Sequence, residues 1–220
     1  MSFHVYTKST DQETVMCGRK ADRMKSDFVL EFKRQMVHLF LGLGITVAVY
    51  FFYPIYGNLI LIPLMISVSI MIILPRIVSD LKVANHLLYH FERDHDIINF
   101  PFKGAIWYGI GIIFPILFLP LNIACAIIAV LSAGDSMSTI IGKFYGKYRI
   151  GHKSIEGFLG FIAFGFIPAV FFVPPSSALV LAFLGAIIEL VNFIDDNFLV
   201  PVGLTILYYI LNIIASNPIF

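Results

Sequence analysis

The carboxylates that draw attention in this chain stand where the sequence is otherwise apolar. Asp135 lies in "AIIAVLSAGDSMSTIIG" and Glu189 in "LAFLGAIIELVNFIDD". Desolvating an ionisable side chain inside such a run is costly, which makes it a functional candidate by default. From Asp135, helical spacing places Ser138, Thr139 and Gly142 on one face, at i+3, i+4 and i+7. From Glu189, Asn192 and Asp196 follow at i+3 and i+7, with Asp195 and Asn197 flanking the last. Clustered carboxylates and an amide suit Mg²⁺, which takes oxygen ligands and accompanies nucleotide phosphates. The plainer alternative has Asp195 to Asn197 solvating a turn, but it leaves Glu189 unexplained.

The run that carries Asp135 leads directly into "GKFYGKYRIGHKSIEG". Lys143, Lys147, Arg149 and Lys153 alternate there with Gly142, Gly146, Gly151 and Gly157. Glycine lets backbone N–H groups converge, and the cations can neutralise an anion such as a polyphosphate. Ser154 is placed to cap the next helix, with Glu156 in its first turn, and the free N–H groups of such a helix end can hold a phosphate. GxxxxGK[ST] is absent and no strand precedes the loop, so this is no P-loop. A basic loop at the inner membrane surface is the plainer alternative.

Two further groups deserve weighing. In "EFKRQMVH", Glu31, Arg34 (or Gln35) and His38 share a face at i, i+3/i+4 and i+7. The plain reading is a capping carboxylate, an interfacial arginine and a snorkelling histidine. In "HLLYHFERDHD", His86, His90 and Asp94 have a spacing that could bind metal. The apolar positions Leu81, Val83, Leu87, Leu88 and Phe91 favour the polar face of an interfacial amphipathic helix instead.

The elements that must position these residues follow from composition. The chain has 220 residues, 59% hydrophobic and 13% charged, which excludes an ordinary soluble domain. Apolar runs near the length of a membrane crossing recur along it. The expected fold is all-α: a polytopic membrane helix bundle of about seven transmembrane helices. They lie near residues 36–54, 58–75, 103–120, 121–142, 157–174, 177–194 and 198–216. Residues 1–30 are read as a polar cytoplasmic tail and 31–220 as one integral membrane domain. The first residues lack the apolar core of a signal peptide, so the first helix is expected to act as the insertion signal. Cys17 and Cys125 fall in the tail and in a membrane segment, which makes a disulfide between them improbable.

With the amino terminus inside, segments 1–35, 76–103 and 143–156 hold seven, four and four of the Lys and Arg residues, which is all 15. The opposite loops, "YPIYGN", "PLN" and "VPPSS", carry no charge. This asymmetry orients the chain. It also puts the chemistry at the cytoplasmic face of the cell membrane. A transporter needs polar groups near the midplane that both sides can reach. An enzyme joining a water-soluble substrate to a lipid fits the distribution better.

Three blocks resemble the polyprenol kinase family of integral membrane lipid kinases, which includes dolichol kinase, phytol and farnesol kinases and the CTP-dependent diacylglycerol kinase of fungi. "EFKRQMVH" resembles the family's first motif, "GDSMSTIIGKFYGKYRIGHKSIEG" its central motif, and "IDDNFLVP" its late D-D-N-x-x-x-P motif. The resemblance implies phosphoryl transfer from a nucleoside triphosphate to the hydroxyl of a long isoprenoid alcohol such as dolichol. CTP is the typical donor, with ATP left open. It gives roles to Glu31, Arg34 and His38 at the lipid headgroup or motif. It gives roles to Asp135, Lys143, Lys147, Lys153, Ser154 and Glu156 in the central block, and to Asp195, Asp196 and Asn197 in the late one. Arg149 joins the phosphate-binding set as a cation of the same loop.

Phosphoryl transfer is mostly positioning and charge neutralisation. The basic loop would hold the phosphates, and one or two carboxylates would hold Mg²⁺. Asp135 is read as the base or a direct Mg²⁺ ligand, and Asp196 with Glu189 as Mg²⁺ ligands, the roles being exchangeable. The eukaryotic dolichol kinases carry many more membrane helices ahead of these blocks, so the likeness is to their catalytic part. Expected partners are the lipid alcohol, the nucleotide and the membrane. Nucleic acid is not expected, and homo-oligomerisation is left open. A CTP-dependent lipid cytidylyltransferase is the alternative, although "GHKSIEG" stands where its late signature would run and no DRxDS follows. A transporter or scaffold is the non-enzymatic alternative.

Overall fold

The computed structural model describes residues 6–77, 100–191 and 194–215. The proposed stripe His86, His90 and Asp94, and Asn192, lie outside the described residues. The elements in chain order are α1 (Tyr6–Tyr56), a 3-10 segment (Gly57–Ile60), α2 (Leu61–Ile77), α3 (Lys103–Phe118) and α4 (Leu121–Phe144). A two-stranded hairpin of β1 (Arg149–Ile150) and β2 (Lys153–Ser154) follows. The chain ends in α5 (Ile155–Ala169), α6 (Pro175–Glu189) and α7 (Asp196–Ala215). The all-α expectation holds, with the small hairpin as its exception. The helix α1 already starts at Tyr6, inside the segment read as a tail.

Three stretches among the described residues are long and apolar enough to cross a membrane: Phe28–Ile73, Leu121–Phe144 and Asp196–Ile213. The first has 46 residues, about 69 Å at helical rise, roughly twice what one crossing needs. Gly57 interrupts it with φ 54, a conformation that glycine adopts without steric cost. Three shorter apolar helices complete the set: Lys103–Phe118, Ile155–Ala169 and Pro175–Glu189. The sequence reading made α5 and α6 longer. Hydropathy runs on through Val170 to Val173, but the chain turns there, with Phe172 N–H bonded to the Ala169 carbonyl at 3.0 Å. These apolar helices make the chain a membrane protein.

The central element is α4. Every residue from Ile123 to Ser136 is buried, as expected of a helix that is apolar or small on all sides. Ala124, Ala126, Ala129, Ala133 and Gly134 let neighbouring helices approach, which is how helices associate in lipid. The helix α1 runs antiparallel to it in a steady register. Phe28 rests on Phe144 with ring centroids 4.5 Å apart. Farther along, His38 faces Asp135 and Cys125 Sγ lies 3.9 Å from the Thr46 carbonyl oxygen.

On another side, α5 packs antiparallel to α4. Phe161, fully buried, fits against glycine on two helices: a Cβ would come within 2.8 Å of its ring at Gly134 and 3.0 Å at Gly185. Gly203 of α7 lies against Ile188 of α6. Gly111 of α3 lies against the Asn197 carbonyl and Pro201 of α7. Proline has no N–H to offer that carbonyl four residues back. These contacts bring the middle of α1, the end of α4, the starts of α3, α5 and α7 and the end of α6 to one end of the bundle.

A candidate active site at one end of the bundle

Three carboxylates meet there. Asp135 of α4, Glu189 of α6 and Asp196 of α7 each offer an oxygen within 4.8 Å of the others. Glu189 is 1% exposed and Asp135 7%. Glu189 accepts a hydrogen bond from the Ser138 hydroxyl, one turn beyond Asp135 on α4. Lys153, the last residue before the cap of α5, bridges two of the three: its Nζ lies 2.7 Å from Glu189 Oε1 and 2.7 Å from Asp196 Oδ2. Burial works against the charge on Lys153. The carboxylates of Glu189, Asp196 and Asp135 outweigh it and raise the ammonium above the ordinary lysine value. One oxygen of the cluster, Asp196 Oδ1, is buried without a partner.

Asp195 and Asn197 do different work. Asp195 Oδ1 accepts the Asn197 backbone N–H at 3.2 Å and its side-chain Nδ2–H at 3.0 Å. That is the pattern of a helix N-cap at the start of α7. So of the four residues read as metal ligands, Asp135 and Asp196 enter the carboxylate cluster. Asp195 caps, and Asn197 keeps a buried Oδ1 without a partner.

A second centre lies beside the first. Glu31, 2% exposed, takes Arg34 on Oε1 through Nε at 3.0 Å and Nη2 at 2.5 Å. Gln35 Nε2 bonds the same oxygen at 3.1 Å, and Lys143 Nζ reaches Oε2 at 2.9 Å. His38, one turn further into the bundle, places Nε2 3.7 Å from Asp135 Oδ2. The face predicted for "EFKRQMVH" therefore meets the end of α4.

The basic loop divides. Lys143 and Lys153 reach into carboxylates, whereas Lys147 and Arg149 are exposed. Ser154 and Glu156, read from the sequence as phosphate-binding, are committed within the loop. The buried Ser154 hydroxyl accepts from the Gly157 N–H at 3.0 Å and caps α5. Glu156 Oε1 accepts the backbone N–H of Lys147 at 3.0 Å and of Tyr148 at 3.3 Å. Its own N–H and those two hold its carboxyl below the ordinary glutamate value. Glycine at 142, 146 and 157 is required by packing: a Cβ at Gly146 would lie 2.6 Å from Ser154 Oγ, and one at Gly157 3.0 Å from the Ser138 carbonyl.

Gln35 and Ser138, placed by spacing on the faces of Glu31 and Asp135 but given no role, bond Glu31 and Glu189 respectively. Ser132, three residues before Asp135, and Tyr108, in an apolar run, were not singled out, although Ser132 is on the same helix turn as Asp135.

The fold and the site define a helical membrane protein with an acid–lysine centre at one end of its bundle. Over 92 residues, 37% of this chain, it is 38% identical to the dolichol kinase sec59 of Schizosaccharomyces pombe. The matched stretch is 18% of that protein, so the chain spans well under two thirds of its relative's length. The resemblance to dolichol and polyprenol kinases read from the three motifs thus has a curated counterpart. No family model matches the chain, and no solved structure matches it.

Proposed function

We propose that this chain is a lipid kinase that moves the γ-phosphoryl group of a nucleoside triphosphate onto the hydroxyl of a long-chain isoprenoid alcohol. The observation that carries the reading is the meeting of Asp135, Glu189 and Asp196 within 4.8 Å, with Lys153 between two of them. The similarity to a dolichol kinase supports the alcohol as acceptor. CTP as donor rests on the motif resemblance alone. The chain crosses the membrane about seven times with its amino terminus in the cytoplasm. The site then faces the cytoplasm, on the side that carries all 15 Lys and Arg residues.

In the reaction, the alcohol oxygen forms a bond to the γ-phosphorus. The bond from that phosphorus to the β,γ-bridging oxygen breaks, and the nucleoside diphosphate leaves. Asp135 accepts the hydroxyl proton. Lys153, Lys143 and Arg34 supply the positive charge that steadies the phosphates. The three carboxylates offer only oxygen donors, and Asp196 Oδ1 is buried without a partner, so Glu189 and Asp196 fit a Mg²⁺ ion. When bound, Mg²⁺ would neutralise charge on the transferring phosphates. The lipid tail lies along apolar helix faces, with its hydroxyl at the membrane surface.

The test is phosphotransfer by purified protein in detergent. The reagents are γ-labelled CTP or ATP, Mg²⁺ and a panel of polyprenols, phytol, geranylgeraniol and diacylglycerol. Label is expected in an isoprenoid alcohol, with loss in Asp135→Asn and on chelation by EDTA. A CDP-lipid made from α-labelled CTP would replace the kinase by the cytidylyltransferase alternative. No product with any acceptor would overturn the enzymatic reading.

A further inference from the structure

One buried group beside Asp135 has no part in the reaction described so far. His38 Nε2 is buried and lacks a hydrogen-bond partner. It lies 3.7 Å from Asp135 Oδ2. That is too far for a direct hydrogen bond, about 2.7–3.2 Å. It is close enough for one oxygen atom to stand within bonding distance of both.

The imidazole is held from behind. Tyr108 of α3 packs against it edge to face, with ring centroids 4.9 Å apart at 84°. The Tyr108 hydroxyl is not available to donate to His38. Ser132 Oγ gives its single proton to the Ile128 carbonyl at 2.6 Å. At 2.9 Å from Ser132, Tyr108 is therefore the donor and Ser132 the acceptor. Gly42 of α1 faces both hydroxyls, and a Cβ there would lie 2.7 Å from the Tyr108 oxygen. The strut Gly42–Tyr108–Ser132 fixes His38 while leaving Nε2 free.

With its ring proton assigned to Nε2, facing the carboxylate, His38 is a donor beside an acceptor, and such a pair is complemented by a group that accepts from one and donates to the other. A hydroxyl does both with a single oxygen. A phosphate oxygen accepts only, and it would face the Asp135 carboxylate. Mg²⁺ takes oxygen ligands, so an ion of that kind would satisfy the carboxylate and leave the imidazole unused. We propose that His38 Nε2–H and Asp135 Oδ2 together seat the hydroxyl of the acceptor alcohol, with Tyr108 and Ser132 as positioning residues. This rests on the lipid-kinase reading and deepens it. The alcohol oxygen accepts from His38, and its proton points at Asp135, the group that receives it on transfer. Water has the same hydrogen-bonding pattern, so the test must separate a seat for the lipid from a seat for solvent.

The experiment compares the full chain's binding of radiolabelled farnesol and farnesyl methyl ether in detergent, by equilibrium dialysis, alongside phosphotransfer. The ether keeps the tail and the oxygen but cannot donate to Asp135. The wild type is expected to bind the alcohol about tenfold more tightly than the ether, the worth of one buried hydrogen bond. His38→Ala and His38→Asn are expected to lose about tenfold in affinity for alcohol and ether alike, since both oxygens accept from His38, and to keep the preference that Asp135 sets, which also shows that they fold. His38→Gln, whose amide nitrogen falls near the Nε2 position, is expected to keep most of the affinity. In phosphotransfer, KM for the alcohol rises in His38→Ala while KM for the nucleotide holds. Equal binding of alcohol and ether by the wild type would overturn the seat, as would an alcohol affinity that His38→Ala leaves unchanged, and solvent would then be its occupant. If alcohols are phosphorylated without any such preference, only this inference fails. If the wild type neither binds nor phosphorylates an isoprenoid alcohol, the kinase reading fails with it.

Discussion

Glu31 and Lys143 meet across 112 residues of chain, with Oε2 and Nζ 2.9 Å apart. The pair ties the middle of α1 to the end of α4, beside Asp135. The two partners are not equivalent, because Glu31 is 2% exposed and Lys143 44%. Lys143→Met leaves Glu31 still bonded to Arg34 and Gln35, and is expected to cost about 1 kcal/mol. Glu31→Gln removes the charge that gathers all three, and is expected to cost about 2 kcal/mol or more. Thermal unfolding in detergent reads both. If Lys143→Met proved the more damaging, Glu31 would not be the organising residue.

Lys153 is expected to be needed for activity and to carry its charge across the whole working pH range. Lys153→Met should lower phosphotransfer by about 10²–10³, the scale for removing one preorganised electrostatic contact. The sign of its pH effect follows from the raised value. Stability from the ammonium is fully present below the ordinary lysine value of 10.5 and is lost only as pH rises through the higher folded value. The pH–rate profile of the wild type should therefore show no alkaline limb from Lys153 below 10.5. If Lys153→Met removed an alkaline limb at lower pH, the ammonium would not be held as its neighbours imply.

Much of this arrangement was legible in the sequence, for reasons that also mark the limit. The apolar run 121–142 predicts α4, observed at Leu121–Phe144, because a buried helix must be apolar or small throughout. The cap at Ser154 is predicted by residue type and position, and its hydroxyl bonds the Gly157 N–H. The pairing of cations with carboxylates was not legible. Lys143 and Lys153 belong to one loop yet reach carboxylates on different helices, Glu31 on α1 and Glu189 with Asp196 on α6 and α7. Lys143 lies in the last turn of α4 while Lys153 follows the β1–β2 turn, where Gly151 has φ 60. Nor could the sequence distinguish glycine used to approach an anion from glycine used to admit the Ser154 side chain, since both need the missing Cβ.

The loop itself should open when Glu156 is neutralised. Its carboxylate holds the Lys147 and Tyr148 N–H groups, so Glu156→Gln is expected to expose the segment between α4 and β1. Limited proteolysis after Lys147 or Arg149 checks this, with faster cleavage in the variant. Because the folded carboxyl lies below the ordinary value of 4.5, this contribution is present above that value and is lost as pH falls through the lower folded value. Cleavage of the wild type should thus be steady above 4.5 and accelerate only in stronger acid. Equal cleavage of variant and wild type near neutral pH would show that Ser154 and the strand pairing suffice.

Gly42 provides the last test, because it acts on the site without touching it. A Cβ there would lie 2.7 Å from Ser132 Cβ and 2.7 Å from the Tyr108 oxygen. Both neighbours belong to helices that are packed on their far sides, and Ser132 is fully buried. Gly42→Ala must therefore push α1 away from α4 or break the Tyr108–Ser132 bond. Overpacking of this kind costs about 1–3 kcal/mol. The same displacement moves His38, one turn earlier on α1, away from Asp135. Gly42→Ala should then lower both the unfolding temperature and the affinity for alcohol and ether alike. Gly44→Ala, where nothing lies within 4 Å of a new Cβ, should change neither. A Gly42→Ala protein that unfolds at a lower temperature but keeps the full alcohol affinity would show that the register of α1 on α4 does not set the position of His38.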